Sequence, residues 1–513
     1  MSARMLNIMR EPDGFRVLAA DILPLQQAQL RFEQDEQGLQ VFLCAKEEEP
    51  AFVCLRWEHT IGEPVMVLGD AWERSYADLA WKPLGGNIFH PWYFLVSGRK
   101  ETVGCGVMVQ PNSFVSFQVD SRGVTGWFDV RCGGMGVRLG DRELHAATVV
   151  CRSYTGVTAF EAAKRFCHVM SPAPVLPKQP VYGSNNWYYA YGKSSGEEIR
   201  RDAAVVAQLA AGNSNPPFMV IDDGWQVSWH PNLYGGPGRS CNEKFHGMEN
   251  TASSITQEGA IPGIWMRPLL SSERLSEIPY RSFGDDSMTF IDPSHPASIE
   301  YIKNEIRAVR NFGFKMIKFD FLCHDIFGHY GFDMGTELFE KNIPFYNKEK
   351  TTAQIIKEFY FALREAAGED CIIIGCNAVS HMAAGIVDIQ RTGDDTSGRE
   401  WERTLKMGVN TLAWRMHQHK TFYAHDADCV GITKDIPWEK NSMWLRLLAE
   451  SGTPLFVSVD EDCRTFNVQK ALSEAFDTAC IKFLEDSYLI PCTNELTPQK
   501  WQREEKTFEY KWN

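Results

Sequence analysis

The run Ile317-Lys-Phe-Asp320 places Lys318 and Asp320 two residues apart, so on a strand both side chains point to one face while Phe319 packs on the other. A cation beside a carboxylate lowers its pKa and keeps it ionised, as a nucleophile requires. Asp394 and Asp395 follow another apolar run, flanked by Gly393 and Thr396, in a turn able to aim one of them across at Asp320. Two carboxyl groups on either side of a glycosidic bond are the machinery of its hydrolysis, with retention at a separation of about 5–5.5 Å and inversion at about 6.5–9.5 Å. The stretch Val220-Ile-Asp-Asp-Gly-Trp-Gln226 adds Asp222, Asp223 and Trp225, and Trp187 extends an aromatic and acidic lining suited to a sugar. Carboxylates accept hydrogen bonds from adjacent hydroxyls, and indole faces cover the C–H patches of the ring. Any one Asp can be a helix cap, but acids closing several apolar runs repel one another and cost desolvation, which points to function.

Competing chemistry is weaker. His417-x-His419, His425, Asp426 and Asp428 contain metal-ligand residue types. His-x-His faces one way only on a strand, however, and this pair precedes a strand instead of ending one, which weakens the metal-hydrolase reading. His324, Asp325 and His329 follow the Asp320 run as a loop suited to a rim. The 14 Cys lack a CxxC pair or a dense framework, which fits reduced thiols.

The elements that must position these residues follow from periodicity. Short apolar stretches at 14–20, 39–43, 52–57, 65–68, 114–119, 123–130 and 147–154 read as an N-terminal antiparallel β-sandwich over residues 1–175. Four prolines between Ser171 and Pro180 mark a linker. Beyond it, candidate strands at 181–189, 218–225, 262–269, 316–321, 371–377, 386–394, 421–429 and 454–460 alternate with amphipathic segments, and 176–487 is expected to be a (β/α)8 barrel. Helix signals support this: Ser-x-x-Glu pairs before Ile199, Pro296 in a first turn with Gly313 as a stop, and an apolar stripe over 351–367. In such a barrel the active site lies at the C-terminal ends of the strands, where the acids stand. Residues 488–513 read as a short C-terminal β segment of one or two strands.

The net charge of −14 repels phosphate backbones and anionic lipid, so neither nucleic acid nor a membrane is an expected partner. The opening residues carry Arg4, Arg10, Glu11 and Asp13 without an apolar core of signal-peptide length, so a cytoplasmic location is expected unless a leader has been trimmed.

In order along the chain, Val181-Tyr-Gly-Ser-Asn-Asn-Trp-Tyr-Tyr189, Ile221-Asp-Asp-Gly-Trp225, Gly263-Ile-Trp-Met-Arg-Pro268, Ile317-Lys-Phe-Asp320, Gly375-Cys376 and Gly393-Asp-Asp-Thr396 resemble glycoside hydrolase family 36, of the α-galactosidase clan. The resemblance implies a retaining α-galactosidase with a small-molecule or oligosaccharide substrate and no need of a metal or an organic cofactor. It makes Asp320 the nucleophile, Lys318 a galactose-binding residue, and Asp222 and Asp223 the partners of the C4 and C6 hydroxyls. Arg267 would line the pocket, Cys376 would approach the 2-hydroxyl, and Trp187 would form a floor or wall. The Gly-Asp-Asp-Thr match selects Asp394 as acid/base, whereas counting four residues on from Arg391 selects Asp395; the motif match favours Asp394. Gly69-Asp-Ala-Trp-Glu-Arg74 is similar to an Ala-Trp-x-Arg segment that reaches the site rim in that family. Two departures stand out. The stretch after Cys376 is Asn-Ala-Val-Ser where the family has glycines, which leaves an α-N-acetylgalactosaminidase as an alternative. The C-terminal region is shorter than the family's β domain, which leaves room for a neighbouring subunit in a homo-oligomer. A galactosyl transferase of the raffinose-synthase type, or a silent carbohydrate-binding protein, uses the same scaffold.

Overall fold

The computed structural model describes residues 6–11, 14–17, 22–23, 27–58, 61, 65–85, 88–227, 240–270, 275–284, 289–335 and 338–512. The candidate strand at 14–20 is described only over Gly14–Val17, and of the opening residues 1–15 those at 1–5 and 12–13, Arg4 and Asp13 among them, lie outside the described residues.

Each expected N-terminal run lies on a strand, and the strands form two sheets. One carries Phe52–Glu58, Gly123–Asp129 and Phe114–Asp120; the other carries Leu39–Cys44, Leu144–Thr155, Glu101–Val107 and Tyr93–Ser97. Pairing is antiparallel apart from Leu6–Glu11 against Phe52–Glu58. Leu39–Cys44 alternates buried and half-buried residues, the period-two pattern of a strand with one face in the core. The sheets meet through rings such as Phe94 and Phe117, whose centroids are 5.7 Å apart. The helix Ala159–Met170, unanticipated from the sequence, begins where the Thr158 side chain accepts from the Glu161 N–H and buries Phe166 and Met170. Residues 171–180 are in neither helix nor strand, as their prolines dictate.

All eight expected strands of the second half form, as β1 Tyr182–Asn185, β2 Phe218–Ile221, β3 Ile261–Met266, β4 Met316–Phe319, β5 Ile372–Gly375, β6 Ile389–Arg391, β7 Ala424–Asp426 and, with one extra, β8 Val430–Ile432 and β9 Leu455–Val459. They build one curled parallel sheet in the order β7-β6-β5-β4-β3-β2-β1-β9-β8. The strand expected over 421–429 forms as β7 alone, and β8, just past that span, was not expected. Ala427, Asp428 and Cys429 separate them, with Asp428 in the left-handed region at φ 72°, and the two edges of the sheet are joined by this three-residue link. The expected segment 181–189 stops at Asn185, after which Trp187–Ala190 turns into a short helix.

The helices start where capping chemistry places them. Gly196–Leu209 opens with a reciprocal Ser195–Glu198 box, Thr352–Ala367 with Thr351 and Gln354, and Pro296–Asn311 with Pro296 in its first turn. The C-terminal region forms three short strands, one more than expected at most. Its Tyr510 and Trp512 rings stack at 5.0 Å, and the Trp512 carbonyl accepts from Trp401 Nε1 at 2.9 Å. The tail thereby anchors the helix Trp401–Thr404.

Candidate active site

Most of the motif residues lie in the loops just past the ends of the parallel strands, because each strand stops several residues before its polar terminus. There they surround a cavity of about 310 Å³. Lys318 lies on β4 and Asp320 one residue beyond it, and both reach the cavity. Lys318 Nζ lies 2.7 Å from Asp222 Oδ2, which also accepts from Asn185 Nδ2 at 2.6 Å. Burial works against the Lys318 charge, but Asp222, Cys376 and Asp320 outweigh it and its pKa stands well above the usual value. Burial, then the neighbouring Asp222 charge, pushes Asp223 up to about 7. The turn behind it closes on Gly224, at φ 102° and so near Gly192 that a Cβ would meet its carbonyl oxygen at 2.5 Å.

Asp320 is held by donors. Its Oδ1 accepts from the Phe321 N–H at 2.7 Å and its Oδ2 from Trp265 Nε1 at 3.1 Å. Phe321 sits at φ 58°, costly for a bulky residue, and that conformation turns its N–H toward the carboxylate. Arg267 does not line the cavity. It lies 3.9 Å beneath the Phe321 ring and pairs with Asp325 through two bonds of 2.8 and 2.7 Å, buttressing the strained turn from behind.

Opposite chemistry gathers at the end of β6. Asp394 is clamped on both oxygens, by Arg74 Nη2 and by Arg403 Nη2, each at 2.7 Å. Asp395 is more open, 38% exposed against 18%, with Arg391 Nη2 at 3.3 Å and Arg74 Nη1 at 3.8 Å. Burial raises the Asp395 pKa, but Arg391, Arg74, Lys318 and Arg403 together hold it below the ordinary carboxylate value. Arg391 is itself fully buried, 2.8 Å from Asp428, which takes the Thr396 N–H at 2.8 Å and the Tyr188 hydroxyl. The link between β7 and β8 therefore serves to seat the acidic turn.

Of the residues expected from sequence, Trp187, Asp222, Asp223, Lys318, Asp320, Asp394 and Asp395 line one cavity. Trp225, Arg267, Cys376 and Arg391 stand behind its wall. Trp225 is buried and donates to the Trp265 carbonyl at 2.9 Å; the buried Cys376 lies 3.4 Å from Arg391, its thiol pushed well up by burial and the Asp320 charge. Residues not named as site residues from sequence are Trp265, Phe321, Tyr330, Phe332 and Arg403, and Arg74 was expected only at the rim. Trp265 was within reach, since it lies in the Gly-Ile-Trp-Met-Arg motif. Arg403 carried no signal because it comes from a helix after the acidic turn.

Arg74 arrives from the N-terminal sheets. Ser75 pairs with Gly393 as a parallel bridge, its N–H donating to Thr392 at 2.9 Å and its carbonyl accepting from Asp394 at 3.2 Å. The histidines are placed elsewhere: His417 Nε2 is 2.8 Å from Tyr93 Oη, and His419 Nε2 is 3.2 Å from the Gly452 carbonyl oxygen. Among the described residues no group of His, Cys, Asp and Glu is arranged to hold a metal ion.

No family model matches the sequence. Solved structures do match the fold. An α-galactosidase from Thermus thermophilus, in complex with p-nitrophenyl α-D-galactopyranoside, aligns with TM-score 0.60 and 15% identity over 94% of this chain and 99% of that one. The family 36 α-galactosidase AgaA of Geobacillus stearothermophilus, in complex with stachyose, aligns at 0.62 and 12% over 92% of this chain and 68% of that one. AgaB of the same organism gives 0.60 and 12%, over 90% and 66%.

This chain has their fold. The alignment with the Thermus thermophilus structure covers 94% of this chain and so runs through both the N-terminal sheets and the curled parallel sheet.

Proposed function

We propose that the protein is a retaining α-galactosidase, and that its curled parallel sheet is the wall of a (β/α)8 barrel with a β-sandwich before it. The observation that carries the reading is the single cavity lined by Asp320 on one side and the Asp394–Asp395 turn on the other, with Lys318, Asp222 and Asp223 between. Asp320, fixed by two N–H donors, attacks the anomeric carbon and forms a β-galactosyl ester. Asp395 gives its proton to the departing glycosidic oxygen, then takes one from the water that hydrolyses the ester, which returns net retention. What supports Asp395 over Asp394 is geometry: both oxygens of Asp394 are occupied by guanidinium groups, which leaves neither free to face a glycosidic oxygen, whereas Asp395 is the more exposed of the two. Asp222, Lys318 and Asp223 bind the sugar hydroxyls, and Trp187 covers a ring face. Arg391 and Arg267 position the acid turn and the nucleophile turn.

The test is the initial rate on an aryl α-galactoside, with Asp320→Ala as control and aryl α-N-acetylgalactosaminide and β-galactoside in parallel. Turnover of the α-galactoside alone, lost by at least about 10³-fold in the variant, is expected. Turnover of the acetamido sugar instead, or none in folded protein, would overturn the reading.

A further inference from the structure

We propose that Phe332, stacked on Tyr330, is the platform for the ring attached to the cleaved galactosyl bond, and that it favours substrates whose leaving group is a neutral sugar. The proposal rests on the galactosidase reading above. Phe332 lines the catalytic cavity yet is 59% exposed, so it stands at the opening. Other large hydrophobic side chains are as exposed, but among them Phe332 lines this cavity, where a ligand ring held at the opening can reach it. Its ring is nearly parallel to Tyr330, at 5.9 Å and 16°, and meets Tyr76 edge-on at 4.9 Å.

This turn is braced. The Gly331 N–H donates to Glu73 Oε1 at 2.7 Å, and a Cβ at that position would lie 2.5 Å from Glu73 Cγ, so the backbone is pressed against the N-terminal segment. Glu73 is held in turn by Tyr76 and Asn377. Tyr330 packs on His324 at 4.8 Å. Phe332 is therefore presented ready-made, and little ordering cost falls on the substrate.

Size and polarity name the ligand. A cavity of about 310 Å³ is at the small end of the roughly 300–1,000 Å³ of small-molecule sites, so with one sugar ring inside, the next lies at the opening. The interior is charged, with Asp222, Lys318 and Asp320, whereas this part of the rim is aromatic. A pyranose or furanose with an apolar C–H face gains from stacking there; a short alkyl group has too little surface to do so.

The experiment compares kcat/KM for α-galactosyl fluoride, methyl α-galactoside and an α-1,6-galactosyl glucose in the wild type, Phe332→Ala and Phe332→Trp. In Phe332→Ala the disaccharide should lose about 5–10-fold relative to both the fluoride and the methyl glycoside, and Phe332→Trp should restore it. Equal losses on all three substrates, or no loss on the disaccharide, would overturn the platform while leaving the galactosidase reading standing. Wild-type protein that does not turn over the fluoride would overturn that reading, and the platform with it.

Discussion

Asp394 and Asp395 are neighbours in the chain with different surroundings, and the difference decides what each can do. Asp394 spans Arg74 and Arg403, a doubly charge-assisted clamp that ties the acidic turn to two other elements. Asp395 keeps a freer carboxyl in the cavity. In Asp395→Ala, kcat/KM on an unactivated galactoside should fall by about 10²–10⁴-fold, while an aryl galactoside with a good leaving group still forms the ester. Azide entering on the side vacated by Asp395 then yields α-galactosyl azide, identifiable by NMR; the same product from Asp394→Ala, and none from Asp395→Ala, would reverse the assignment. Asp320 and Lys318 were legible from their spacing alone. The choice within the Asp pair was not, because the motif match and the count from Arg391 point to different residues, and only the arginine contacts separate them.

At the scale of elements, the 69–76 segment of the N-terminal half behaves as part of the active site. Its bridge to Gly393 carries Arg74 to the acidic turn, and Asp70 meets Arg415 at 2.7 Å in a fully buried pair beneath it. Arg74 is one of the cations that hold Asp395 below the ordinary carboxylate range. The protonated acid is the active form, so kcat/KM falls as pH rises through the Asp395 pKa. Removing a cation raises that pKa and moves the alkaline limb to higher pH. Arg74→Met should show this shift and Arg74→Lys much less of it, in the pH profile of kcat/KM on an unactivated galactoside; an unmoved limb would contradict the argument. The strands and capped helices that frame this arrangement were visible in the sequence, since Ser195–Glu198 and Thr351–Gln354 are local signals. The helix Ala159–Met170 and the link between β7 and β8 were not. The link depends on Asp428 bonding Arg391, Thr396 and Tyr188, partners brought together only by folding.

Across the whole molecule, the two halves share buried chemistry as well as surface. Trp92 stacks on His381 at 5.2 Å, Tyr93 bonds His417, and Asp70 neutralises Arg415, all in the interior. Separating the halves would break these contacts and expose the buried rings that pack across them, which is costly. The chain should therefore unfold in one calorimetric transition; two resolved transitions would show the halves to be independent. No helix among the described residues is long and apolar enough to cross a membrane. By itself the sequence determined the order of strands, the capped helices and the row of motifs with Asp222, Lys318, Asp320 and the Asp394–Asp395 pair, because hydrophobic period and capping are local properties of a chain. The tertiary structure alone decided that Arg74 enters the site from the first half, that Arg267, Cys376 and Arg391 work from behind its wall, and that Phe332 stays open at its mouth. Those outcomes depend on contacts between residues that only folding brings together, from 15 to more than 300 positions apart, and on what each loop leaves uncovered, neither of which a local pattern encodes.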